Sequence, residues 1–152
     1  MFSRTSGYAI QALTHLAGQP SGKLVGATEM AITLGIPRPF LWKILRRLSQ
    51  KKLVRSFKGV RGGYELARPA KTISVSEVLE LGPKSDQLDC CVLGLMDCSD
   101  RDPCPLHSRW KSLRTQVEQW IQDTTLADLA RAAKPAERKR RSPRPVAANR
   151  SS

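Results

Sequence analysis

Apolar residues recur every three or four positions along residues 7–17, where Ile10, Leu13, Leu16 and Ala17 share one face. That spacing predicts a helix laid against a core, started by Thr5 or Ser6 and ended by Gly18. His15 falls on this helix, where a partly exposed structural role outweighs a ligand role. Pro20-Ser21-Gly22 makes a turn. A second helix is predicted over about Ala27–Leu34, with Ala31 and Leu34 inward and Gly35 as its stop. A third opens near Pro37–Pro39, where proline is tolerated because the first turn's N–H groups have no intrahelical partner. It runs to about Gln50 and buries Leu41, Ile44, Leu45 and Leu48. Its other face carries Trp42, Lys43, Arg46, Arg47 and Gln50.

Two short helices joined across Gly35-Ile36-Pro37, the second basic outside, form a helix-turn-helix pattern. Next come a strand over residues 53–57, a basic glycine-rich turn from Lys58 to Gly63, and a strand over residues 64–67. A basic hairpin after a recognition helix is the wing of a winged helix. Its glycines permit positive φ and close approach to a phosphate. Ser74-Val75-Ser76-Glu77 has capping-box spacing and opens a short helix to about Leu81, ended by Gly82-Pro83. From Leu106 to about Gln122, Leu106, Trp110, Leu113, Val117, Trp120 and Ile121 again step by three or four. This broad stripe calls for burial against a second copy of the chain or against the chain's own winged helix. Thr125 can cap a last helix to about Ala133.

The fold class is therefore mainly α with a small β-hairpin wing: a winged helix-turn-helix plus a long dimerisation helix. Residues 1–82 would form the DNA-binding domain, 83–105 a cysteine-rich loop, 106–133 the dimerisation helix and a short C-terminal helix, and 134–152 a disordered basic tail.

Charge sharpens this outline. The chain carries a formal +13, which suits a polyanionic partner such as nucleic acid. Seven basic residues against Glu137 in residues 134–152 leave +7 to residues 1–133, so the body is basic by itself. No apolar run approaches the roughly 20 residues that span a bilayer, and the start lacks an apolar signal core. The expected location is the cytoplasm, with no membrane partner, where clustered thiols stay reduced.

On the third helix, Arg38, Trp42 and Lys43 are candidates for contacts with bases or sugars, with Trp42 equally readable as a cover for the core, and Arg46 and Arg47 for phosphates. Lys58 and Arg61 of the wing can reach phosphates or a narrow minor groove.

All four cysteines fall within residues 90–104, as Cys90, Cys91, Cys98 and Cys104, and His107 follows. Soft thiolates on a loop of Gly, Pro, Ser and Asp, with an imidazole at its end, have the chemistry to hold zinc or an iron–sulfur cluster. Spacing does not separate the two metals. A cysteine enzyme with Cys90 or Cys91 as nucleophile and His107 as base is a third reading. It lacks a second placed acid or base, and the wing glycines lie between strands, away from any phosphate-cradling helix start.

These blocks together resemble the Rrf-two family of bacterial winged-helix transcription regulators, which includes IscR, NsrR and RirA. The resemblance spans residues 7–133. It rests on Tyr8-Ala9 with Leu16-Ala17; on Gly35-Ile36-Pro37, Phe40-Leu41 and Ile44-Leu45; on Gly59, Gly62-Gly63-Tyr64 and Leu66-Ala67; and on Cys98-Ser99-Asp100, Pro103-Cys104-Pro105-Leu106-His107 and Trp110. It implies a non-enzymatic homodimer on a near-palindromic operator, with affinity set by an iron–sulfur cluster that responds to iron, nitric oxide or redox state. Carried over, the ligands are Cys91, Cys98 and Cys104. Some relatives add a histidine at the place of His107, and others an acidic residue from the partner's first helix. The latter position falls near Gly7 or Tyr8 here, which favours a 2Fe–2S cluster with His107 over a 4Fe–4S cluster. The alternative is a zinc-stabilised winged-helix DNA binder without sensing.

The chain departs from the pattern in three places. Cys90 is an extra thiol beside Cys91, and the gap from Cys91 to Cys98 is one residue longer than in some members. Lys51-Lys52 occupies a turn where glycine is common, so Lys52 is expected to be strained.

Overall fold

A computed structural model describes residues 3–82, 88, 91–93 and 98–133. Cys90, Pro83 and the basic segment 134–152 lie outside the described residues.

Helix α1 spans Arg4–Ala17, α2 Ala27–Leu34 and α3 Arg38–Gln50, and strands β1 (Val54–Phe57) and β2 (Gly63–Leu66) follow. A 3-10 turn at Ala70–Thr72 leads to α4 (Val75–Leu79), then α5 (His107–Asp123) and α6 (Leu126–Ala132). The element order matches that expected from periodicity, with two corrections at element ends and one on the packed face of α1. The cap of α1 is Ser3, whose Oγ accepts from the Ser6 N–H at 3.2 Å, in place of Thr5 or Ser6. Ser6 is buried one turn inside, because its small side chain fits the core and its hydroxyl lies 3.3 Å from Ser3 Oγ. The buried face of α1 is Ala9, Ala12, Leu13 and Leu16, so the packed stripe sits one position round from the one expected, and Ile10 and Ala17 lie at its margin. Helix α4 stops two residues short of Leu81, since its last turn tightens into i→i+3 bonds from Leu81 N–H to Val78 O and from Gly82 N–H to Leu79 O.

Helix α2 ends at Gly35, which takes φ 65° and lets the chain reverse into α3. All four residues of the α3 stripe are buried. With Leu13, Ile73 and Val78 they form the centre of the core. At the far end of α3, Lys52 takes φ 57°, the one non-glycine with positive φ among the described residues.

The wing is an antiparallel pair with register Val54↔Leu66, Arg55↔Glu65, Ser56↔Tyr64 and Phe57↔Gly63. An Arg55–Glu65 ion pair at 2.9 Å crosses it. Val25 adds a short third rung through reciprocal backbone bonds with Tyr64. Two glycines are required here for space. A Cβ at Gly62 would meet Phe57 O at 2.1 Å, and one at Gly63 would meet the Val25 backbone at 2.9 Å.

The C-terminal part of the described chain folds back on the winged helix. Val75 N–H donates to Thr124 O and Leu126 N–H to Ile73 O, both at 2.9 Å. Leu126 is fully buried in the common core, and α6 packs on α1. Capping boxes begin α4 (Ser74 with Glu77) and α6 (Thr125 with Asp128).

Candidate nucleic-acid interface and cysteine loop

The stripe of α3 is turned inward, so the opposite face is left to solvent. Arg38, Trp42, Lys43, Arg46 and Arg47 are exposed there, and Lys58 and Arg61 are exposed on the wing. Trp42 is 60% exposed, so it is not a cover for the core. Arg38 donates to Thr28 Oγ1 and so ties the start of α3 to α2. Arg47 lines a shallow crevice with Thr5, Leu81 and Gly82, which sets a basic residue of α3 beside the end of α4, where the cysteine loop begins.

The loop's described donors come together in two pairs. Cys91 Sγ stands 3.9 Å from Cys104 Sγ, and Cys98 Sγ stands 3.3 Å from His107 Nδ1. All four are partly buried. Among the described residues, no three His, Cys, Asp or Glu side chains converge on one point as the ligands of a single ion would. Cys90 lies outside the described residues.

His107 is the first residue of α5, and its N–H donates to Cys104 O at 2.9 Å. Its Nε2 lies 2.8 Å from Asp100 Oδ1. Lys111, one turn along α5, donates to both Asp100 oxygens at 2.9 Å. The Lys111 ammonium first, and His107 after it, hold the Asp100 carboxyl below its ordinary range. Asp100 and Lys111 were not singled out from the sequence. The available signal was the i, i+4 spacing of His107 and Lys111, which puts both on one helix face. His15 is half-buried on α1 beside Gln19, and burial is the chief cause that lowers its pKa. It has no part in the loop.

Beyond its first residues, α5 buries Ile121 and leaves Leu113 and Trp120 exposed, Trp120 at 67%, and Leu106 just before the helix is exposed too. The chain's own winged helix therefore covers only one end of the apolar stripe. No described helix is long and apolar enough to cross a membrane.

A winged helix with a basic reading helix, followed by a cysteine loop and an uncovered long helix, defines the class of DNA-binding transcription regulators. The match to known proteins narrows this. The family described as Rrf2, iron-dependent transcriptional regulator, matches residues 2–132, and the chain belongs to that Rrf-two family. A candidate HTH-type transcriptional regulator of Aquifex aeolicus is 37% identical over 131 residues, covering 85% of this chain and 90% of that one. The structure of T. potens IscR matches with a TM-score of 0.70 at 26% identity, over 90% of each chain. That of B. subtilis CymR, described as a global cysteine regulator, matches with a TM-score of 0.75 at 20% identity, over 87% of this chain and 97% of that one. The family is one of regulators and not of enzymes, so the reading with Cys90 or Cys91 as nucleophile falls. For Cys91 the geometry agrees, since it faces Cys104 while His107 faces Cys98.

Proposed function

We propose that the chain is a homodimeric regulator whose operator affinity is set by an iron–sulfur cluster held by Cys91, Cys98, Cys104 and His107. The observation that carries this reading is the pairing of donors two by two. With a metal–sulfur bond of about 2.3 Å, two thiolates on one tetrahedral ion stand about 3.8 Å apart. Cys91 and Cys104 have that spacing, and Cys98 with His107 makes a second edge of similar length. Two irons with two protein donors each match this arrangement, which favours a 2Fe–2S cluster over 4Fe–4S. One zinc ion asks all four donors to converge. The donor set is thus of the right kind and grouping. When bound, the cluster supplies a link between the two pairs that iron shortage, nitric oxide or oxidants can break.

The chain's own residues carry the response. The cysteine loop joins α4, which packs on α1 in the winged helix, to α5, whose uncovered stripe fits a second copy of the chain. Release of Cys91, Cys98 and Cys104 relaxes this connection and shifts the population of dimer geometries. Two recognition helices must match a fixed half-site spacing, so a small change in geometry costs affinity. At the near-palindromic operator, Arg38, Trp42 and Lys43 approach bases and sugars, Arg46 and Arg47 phosphates, and Lys58 and Arg61 the backbone beside the wing.

Anaerobically purified protein tests the reading. It is expected to be brown, to absorb in the visible range and to hold about two irons and two sulfides per chain. Its affinity for operator DNA should change when the colour is bleached. Cys98→Ala should remove both the colour and that change. A colourless anaerobic preparation with stoichiometric zinc overturns the sensor, and so does a Cys98→Ala protein with unaltered colour and DNA affinity.

A further inference from the structure

We infer that Asp100, braced by Lys111, is a positioning residue that turns His107 so that its Nδ1, and not its Nε2, is offered to the cluster. The inference rests on the cluster reading above.

An imidazole has two nitrogens, and the one free to bind is set by the hydrogen bond that the other makes. Asp100 Oδ1 lies 2.8 Å from Nε2, which assigns the ring's N–H to Nε2 and has it donate to the carboxylate. Nδ1 is then the lone-pair nitrogen, and it is this atom that stands 3.3 Å from Cys98 Sγ. Asp100 is held in turn by Lys111 Nζ, at 2.9 Å from each oxygen. The brace comes from both sides of the ligand, Asp100 from the loop and Lys111 from α5, and the His107 N–H on Cys104 O fixes the backbone between them. The His107 side chain is only 12% exposed, whereas Asp100 is 72% and Lys111 51% exposed. Ion pairs in such exposed positions contribute little to folding, so orientation of the ring is the effect that remains. The competing account is purely structural: an acid close to the start of α5 favours that helix electrostatically. It predicts a change in melting temperature and none in the metal's ligation.

The test uses the full chain, purified anaerobically, as wild type, Asp100→Ala, Asp100→Asn, Lys111→Met and His107→Ala. Nitrogen hyperfine coupling to the reduced cluster and the half-life of the visible band are measured, with thermal unfolding of the cluster-free proteins as a control. Wild type should show coupling to one histidine nitrogen, and His107→Ala should lack it. Asp100→Ala should alter the coupling and shorten the half-life by roughly 10–100-fold, the usual effect of losing a ligand's orienting partner, with an unchanged melting temperature. Lys111→Met should act in the same direction more weakly. Asp100→Asn should restore most of the wild-type signal, because its amide oxygen still accepts from Nε2–H. Wild-type coupling and half-life in Asp100→Ala overturn the inference and leave the cluster reading standing. So does a coloured wild type without histidine coupling. A melting-temperature loss with unaltered coupling assigns Asp100 to the helix instead. A colourless wild type removes the cluster reading and this inference together.

Discussion

Lys52 holds a left-handed backbone at φ 57° because the turn out of α3 must reverse within two residues, so that Lys52 N–H reaches Ser49 O and Leu53 N–H reaches Leu48 O. A side chain in that region costs roughly 1–2 kcal/mol, and glycine is free of the clash. Lys52→Gly should raise stability by up to about 1 kcal/mol, and Lys52→Val should lower it, as read from denaturant midpoints. The strain was legible only through the family resemblance, in which this turn commonly carries glycine. The metal-type donors were equally legible, since four cysteines within so short a stretch leave few other readings. Asp100 and Lys111 were not, because a single exposed acid or lysine among thirty-nine charged residues carries no mark of its partner. Only the entry angle of α5 brings Lys111 over the loop.

The short helices depend on their caps. Propagation over five or seven residues does not offset helix nucleation, so α4 and α6 rely on the Ser74–Glu77 and Thr125–Asp128 boxes and on packing. Thr125→Ala should cost about 1 kcal/mol and loosen α6 against α1, seen as a lower melting temperature and faster hydrogen exchange at Leu129. Asp128 is held below its ordinary range by the Thr125 hydroxyl and backbone N–H. Burial pushes Glu77 up, but Arg68 and the Ser74 N–H outweigh this and leave it lowered. A carboxyl depressed in the fold stabilises above its unfolded pKa, and that contribution is lost as pH falls through the folded one. The melting temperature should therefore be flat above about pH 5 and fall with acid below about pH 4. Asp128→Asn should flatten part of that fall. On α3 the exposed Arg47 is proposed as a phosphate contact. Arg47→Ala should weaken binding to all sequences alike and reduce the slope of log affinity on log salt by about 1. Both capping boxes and the α3 stripe were readable as sequence patterns. The Ser3 cap and the packed face of α1 were not, because small residues such as Ala9 and Ala12 bury as readily as Ile10 without standing out as apolar.

For the whole molecule, the exposed part of α5 departs from a self-contained fold. Leu106, Leu113 and Trp120 together present an apolar surface that the winged helix does not cover. Leu113→Glu with Trp120→Glu should convert the proposed dimer to monomer by sedimentation and lower operator affinity at least 10-fold through loss of the second half-site, while the monomer's melting remains cooperative. The stripe announced an uncovered face, and its period could not say which end is covered. That depends on Ile121 and Leu126 returning to the core across a rung between Thr124 and Val75, a tertiary pairing with no local signature.

That rung has a mechanical consequence. It pins α5 at the end remote from the cysteines, while the other end follows directly on the loop, so the helix is a rod about 25 Å long with a pivot near Thr124. A displacement of about 2 Å at the His107 end turns such a rod through about 5°. The second copy gripping its middle would feel a tilt and not a slide. Weakening the pivot, by removing the Val75 N–H bond to Thr124 O with Val75→Pro while the Leu126–Ile73 bond remains, should leave the loop's chemistry intact and loosen its coupling to the angle at which two wings would meet a duplex.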